Sequence, residues 1–347
     1  MIKTVTDKKV VFFGELMMHL STKRYERIIQ SREFDISYTG AEANTAVSLQ
    51  NYGVESFVVS SVPDNAVGEA CLAYLRQFRV NLDYVKRNGS RLGIFFAETG
   101  VSQRPSTVLY DRKGSSITEL CENDFDWDAI FRGKQWFHFA GTAPALGDNV
   151  ASIVRKACAK AKEYGLMVSV DLNFRKNLWT AEKAGKVMGD LMRYVDVLFT
   201  NEEEVGIVFG IKAKESNINT GKLSEEGYYD VARQLVQRFG FKYVSISLRE
   251  SISASVNNWS GLLYDGQKIY SSRKYHIDYI VDRIGGGDSY SSGIIYGLLT
   301  GQDAQETVEF AAASSCLKHT IHGDFNLVSF DEVCTLIKGD GSGRIQR

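Results

Sequence analysis

The chain has 347 residues, 44% of them apolar, and a formal net charge of −1. That length holds one large α/β domain or two small ones, and the near-zero charge offers no footprint for a nucleic acid or another polyanion. Five scattered cysteines without a Cys-x-x-Cys pair, an N-terminal stretch with no apolar signal core and no run of membrane-spanning length predict a cytoplasmic protein with reduced thiols, working away from membranes.

Val10, Val11, Phe12 and Phe13, stopped by Gly14, read as a buried first strand. No Gly-x-Gly-x-x-Gly follows it, which argues against a dinucleotide-dependent oxidoreductase. Residues 16–38 are less periodic. Gly40 then opens a helix of small residues (Ala41, Ala43, Asn44, Ala46) that another backbone can approach closely. A second strand is predicted over 56–62. A helix over 68–78 carries Ala70, Cys71, Tyr74, Leu75 and Phe78 on one face. This alternation predicts an α/β fold with a doubly wound, mainly parallel sheet.

Residues 91–118 break the alternation. Segments 94–98 and 107–112 read as a hairpin, with Gly100 and Pro105 in its connection. Tyr110 and Arg112 share a face, either as an exposed Arg–Tyr stack or as a pair turned toward a pocket that takes a carboxylate in a two-pronged grip. His138, inside a strand over 135–141, reads as a buried structural histidine. A helix over 149–164 leads to a strand over 167–175. Its polar residues Asp171, Asn173 and Arg175 alternate toward one side at the end where open α/β sheets bind ligands. Asn201 caps the next helix with Glu204 in its first turn. Residues 211–226 are a polar surface excursion and 228–239 a helix. The strand over 243–250 carries Ser247 and Arg249 toward the end expected to face a nucleotide. Asp265-Gly266 turns a strand pair over 259–270.

The stretch around which the rest is organised is Asp282-Arg283-Ile284-Gly285-Gly286-Gly287-Asp288. A glycine turn opening a helix presents unpaired N–H groups, an anion site reinforced by the helix dipole. Asp288 in the first turn is either a plain cap or a base placed beside that anion. A small-residue helix over 304–317 and a polar turn at Gly323-Asp324 follow.

The 282–288 stretch resembles the C-terminal signature of the ribokinase-like (phosphofructokinase-B) sugar kinases, and the Gly40, Ala41, Asn44 helix resembles their N-terminal one. The departures are Arg283 for a threonine and Gly286 for an alanine. The resemblance implies one kinase domain over 1–347, with strands inserted within roughly 16–39 and 91–118 forming a lid. It implies ATP as phosphoryl donor and Mg²⁺ ordered by Glu204. Asp288 would be the general base, with Gly285, Gly286 and Gly287 cradling the phosphoryl group. Gly40, Ala41, Asn44, Tyr110, Arg112, Arg175 and Asp324 would meet the sugar. Asn173, Asn201, Ser247, Arg249, Gly285 and Gly287 would meet the nucleotide. Tyr110-Asp111-Arg112-Lys113-Gly114-Ser115 is similar to the lid of 2-keto-3-deoxygluconate kinases, implying a sugar acid as substrate and a homodimer through the lid. Phe95-Phe96 stands where those relatives carry a tyrosine. A kinase for a neutral sugar of the fructose or ribose type, and a non-catalytic sugar-binding relative, remain alternatives.

Overall fold

The computed structural model describes residues 7–213 and 225–339; most of the polar excursion expected over 211–226 lies outside the described residues. The strands, in chain order, are β1 (Lys9–Phe13), β2 (Met17–Thr22), β3 (Phe34–Thr39), β4 (Glu55–Val62), β5 (Asn81–Arg87), β6 (Gly93–Glu98), β7 (Thr107–Asp111), β8 (Trp136–Ala140), β9 (Met167–Asp171), β10 (Val197–Thr200), β11 (Tyr243–Ser251), β12 (Asn257–Tyr264), β13 (Ile269–Ser271) and β14 (Tyr275–Ile277).

The large sheet runs β13-β12-β11-β10-β9-β8-β1-β4-β5, with β14 also on β12. From β11 to β5 every pairing is parallel; β12, β13 and β14 add an antiparallel edge. The first strand lies near the middle because its apolar run can be buried on both faces. Alternation sends Val11 and Phe13 into one core layer and Val10 and Phe12 into the other. Helices Ala41–Asn51, Gly286–Thr300 and Ala304–Lys318 stack together over the second layer. Their small residues permit close approach.

A second sheet, β3-β2-β6-β7, projects from the large one. It contains the expected 94–98 and 107–112 hairpin and also two strands from the weakly periodic 16–38 region. Other expectations need correction. The helix expected over 68–78 is Ala66–Arg76, capped by the Asn65 side chain, and it buries Cys71, Leu72 and Leu75 while Ala70 is exposed. The strand expected to reach Arg175 ends at Asp171, because Asn173 turns into the left-handed region at φ 38° and breaks the alternation. Strand β5 was not anticipated. Among the described residues, no helix is long and apolar enough to cross a membrane.

Candidate active site

A cleft of about 480 Å³ lies between the small sheet and the C-terminal ends of β9, β10 and β11. It opens outward into a wider region lined by Lys113, Leu146, Lys176 and Ile207. At its floor, Gly285 adopts φ 78° and caps helix Gly286–Thr300. A side chain at Gly285 is impossible: its Cβ would sit 2.0 Å from the Asp324 carbonyl oxygen. The first-turn amides of Gly287 and Asp288 have no i−4 carbonyl partner within the helix, and Gly287 is exposed.

Asp288 is half-buried on the cleft wall. Asn44 Nδ2 donates to its Oδ2 at 2.7 Å, and Thr39 Oγ1 donates to Asn44 Oδ1 at 2.6 Å. The chain Thr39–Asn44–Asp288 fixes the carboxylate's orientation. Gly40, capping the Asn44 helix, permits this placement, because a Cβ there would lie 2.2 Å from the Glu15 carbonyl oxygen. Burial pushes the Asp288 carboxyl up to about 6, and the Asn44 hydrogen bond and the Arg175 charge oppose the rise.

Three further acids crowd this floor. Burial raises Asp171 well above the ordinary carboxylate range, helped by the charges of Glu204 and Asp288. Burial raises Glu204 to about 7, opposed by Arg175 and by the Phe174 amide. Glu42, 3% exposed, is pushed up by burial to about 8 while its Oε1 accepts from the Ala140 amide at 2.9 Å. Against these acids stands Arg175, an exposed guanidinium whose recorded hydrogen bond is to its own neighbour, the Phe174 carbonyl, at 3.3 Å.

The roof belongs to the small sheet. Phe95 faces the cleft, stacked on His19 at 4.2 Å and tilted against Tyr110 at 5.6 Å. The Arg112 guanidinium lies 5.3 Å from the Tyr110 ring centre. Its charge is already matched: Arg112 Nε donates to Glu15 Oε2 at 2.8 Å, Nη2 bonds the same oxygen, and Ser115 Oγ donates to Glu15 Oε1.

The model of the pfkB family carbohydrate kinases matches residues 7–328. The chain belongs to the pfkB family of carbohydrate kinases. A crystal structure of 2-dehydro-3-deoxygluconokinase from Thermotoga maritima is 46% identical with a TM-score of 0.92, covering 96% of this chain and 100% of that one. A 2-dehydro-3-deoxygalactonokinase from Haloferax volcanii is 28% identical over 96% of this chain and 98% of its own length. A 5-dehydro-2-deoxygluconokinase from Clostridium perfringens is 27% identical over 87% of this chain and 83% of its own.

In this carbohydrate kinase the cleft brings together Gly40, Ala41 and Asn44 from one helix, Tyr110 and Arg112 from the roof, and Asn173, Arg175, Asn201 and Glu204 beyond β9 and β10. Ser247, Arg249, Gly285, Gly287 and Asp288 complete the expected set on its wall. Two expected residues stand elsewhere. Gly286 is buried against the His319 ring. Asp324 is 4% exposed, lies off the cleft wall, and its Oδ2 is 3.0 Å from His19 Nδ1. An aspartate in a polar turn looks available in sequence, but a histidine 305 residues away takes its carboxylate inside the protein. Sequence reading missed Glu15, which follows a strand-ending glycine, and Glu42, which looks like an ordinary first-turn acid. The one available signal was Gly14, which Glu15 directly follows and against which the Glu42 carboxyl packs, leaving no room for a Cβ.

Proposed function

We propose that this kinase transfers the terminal phosphoryl group of ATP to the primary hydroxyl of 2-keto-3-deoxygluconate, giving the 6-phosphate. The observation that carries this reading is the Asp288 carboxylate, held by Asn44 at the mouth of a glycine-lined helix N-terminus, on the floor of a cleft that is also lined by Arg112, Arg175, Arg249 and Arg283. Asp288 takes the proton of the attacking hydroxyl as the oxygen closes on phosphorus. The Gly287 and Asp288 amides, with the helix dipole, hold the equatorial oxygens of the transferring group. Asn201, Asn173, Ser247 and Arg249 border the path of the donor nucleotide. Residues 1–347 act as one kinase domain with the small sheet as lid.

Mg²⁺ fits the acid cluster. Glu204 and Asp171 crowd each other with carboxyls raised by burial, and Asn173 Oδ1 is buried without a hydrogen-bond partner. Among the described residues no set of His, Cys, Asp and Glu is arranged to hold a bare ion, which suits a cation that keeps its waters and rides on phosphates. Bound there, it would neutralise phosphate charge; Glu204 and Asp171 would hold its water shell.

The acid specificity draws on the related kinases, whose named substrates are deoxy-keto sugar acids. Arg175 is the better carboxylate partner, since Glu15 already matches Arg112. That same pairing favours a second reading, a neutral-sugar kinase. The deciding experiment is kcat/KM for 2-keto-3-deoxygluconate, fructose and ribose in the wild type and in Arg175→Ala. We expect a preference for the acid and a loss of about 2–5 kcal/mol in kcat/KM for the acid alone in the variant. A wild-type preference for fructose or ribose, or an equal loss for all three, overturns the acid reading. The setting we propose is cytoplasmic, with two copies joined through their lids.

A further inference from the structure

The tip of the small sheet rests on the turn between β11 and β12. Ala254 N–H donates to the Ser102 carbonyl at 2.7 Å, and Ser102 N–H donates to Ser255 Oγ at 3.1 Å. From the opposite side the same turn is gripped by Arg283. Its Nε donates to the Ala254 carbonyl at 3.0 Å, Nη1 donates to Asn257 Oδ1 at 3.0 Å, and Nη2 bonds the Ser253 carbonyl. Arg283 is two residues before Gly285, and its own carbonyl accepts the Gly286 amide at 3.3 Å. One turn thus receives the lid on one side and the glycine cradle on the other. All three guanidinium nitrogens donate to this turn, so Arg283, on the cleft wall, ties the turn to the segment that enters the glycine cradle.

We propose that Arg283 is a positioning residue that couples closure of the lid over the sugar to the geometry of the phosphoryl-binding turn, through residues 253–257. When the lid tip is docked, the 253–257 carbonyls are held where the guanidinium binds them, and the planar fork in turn fixes the backbone that enters Gly285. With the lid raised, the turn loses its contacts to residue 102 and the cradle is less well ordered. Sugar therefore improves nucleotide binding through the protein, beyond any direct contact between acceptor hydroxyl and phosphate. A lysine cannot reproduce three bonds in a fixed plane. The charged neighbours of this tie are Arg249, which repels it, and Lys318 and Asp282 around the glycine turn.

The inference rests on Gly285–Asp288 being the phosphoryl cradle, and the test separates the two. Binding of the non-hydrolysable analogue AMP-PNP is measured by calorimetry with and without a saturating amount of the best sugar acceptor, in wild type, Arg283→Met, Ser255→Ala and the double variant. In the wild type the sugar should tighten the analogue at least fivefold. In Arg283→Met that ratio should fall to about one and kcat about 10–100-fold, while the sugar's own Kd stays within about twofold. Ser255→Ala, a mild change that leaves Arg283 intact, should lower the ratio too. The double variant should be no worse than Arg283→Met. Absence of coupling in the wild type, wild-type coupling in Arg283→Met, or additive losses in the double variant overturn the proposal. Unchanged AMP-PNP affinity and full turnover in Gly287→Pro, which removes a cradle N–H in the first helical turn where a side chain meets nothing within 4 Å, would instead overturn the cradle reading beneath it.

Discussion

Asp288 works against its own surroundings. Burial favours its neutral form, yet the base we propose must be ionised, so the acid limb of the pH profile should report the carboxyl directly. With the group near 6 in the folded protein, kcat/KM should be flat above about pH 7 and fall about tenfold per pH unit well below 6. Asp288→Asn should fold normally and lower turnover by about 10²–10⁴ with loss of that limb; turnover within a few-fold of wild type would remove Asp288 from the chemistry. At this scale the sequence was informative where a residue's local context was unusual. An aspartate after three glycines is conspicuous. Glu15 is not, because its importance comes from Arg112 and Ser115, about a hundred residues further on. Tertiary ion pairs leave no local pattern.

Helix Glu202–Phe209 begins with the Asn201 side chain accepting the Glu204 amide at 2.9 Å. Capping and the proposed metal duty are compatible: Asn201 serves the helix, and the Glu204 carboxylate, bonded by the Asn201 side chain and the Phe174 amide, lines the cleft. Glu204→Gln keeps the helix start and should raise the Mg²⁺ concentration for half-maximal rate several-fold; an unchanged magnesium titration would return Glu204 to a purely structural place. Elements with a clean period, such as β1, β4, β8 and helix Asp148–Glu163, were legible almost to the residue. The strands β2 and β3 were not, because they pair in a small sheet with no deep core: β2 mixes buried and half-buried positions, and β3 adds exposed ones without a clean alternation. The end of β9 was misjudged because side-chain alternation says nothing of a backbone that turns left-handed at Asn173.

Across the molecule, the small sheet has two faces of different character. Phe95 looks into the cleft with His19 buried beside it on the same face, while Ile36, Leu20, Phe96 and Leu109 pair in register as a row across the opposite face. Ile36 and Leu109 are each more than half exposed. An apolar row ending in two unpaired edge strands suits a second copy of the same sheet. Leu109→Glu should convert a dimer to a monomer in analytical ultracentrifugation and leave Tm within a few degrees. A wild type that sediments as a monomer at micromolar concentration would end the dimer proposal.

The hydrogen bond between Asn44 and Asp288 joins residues 244 positions apart. On a ribosome adding about 5–20 residues per second, roughly 12–50 s separate the synthesis of the two. Throughout that interval helix Ala41–Asn51 lacks the helix Gly286–Thr300 that packs on it, and the proposed base has not been made. The proposed base arrives late, with a helix of the second core layer that Ala304–Lys318 and Phe330–Ile337 then complete. On the proposed mechanism, a nascent chain therefore acquires the capacity to consume nucleotide only as it also acquires the packing that makes it durable.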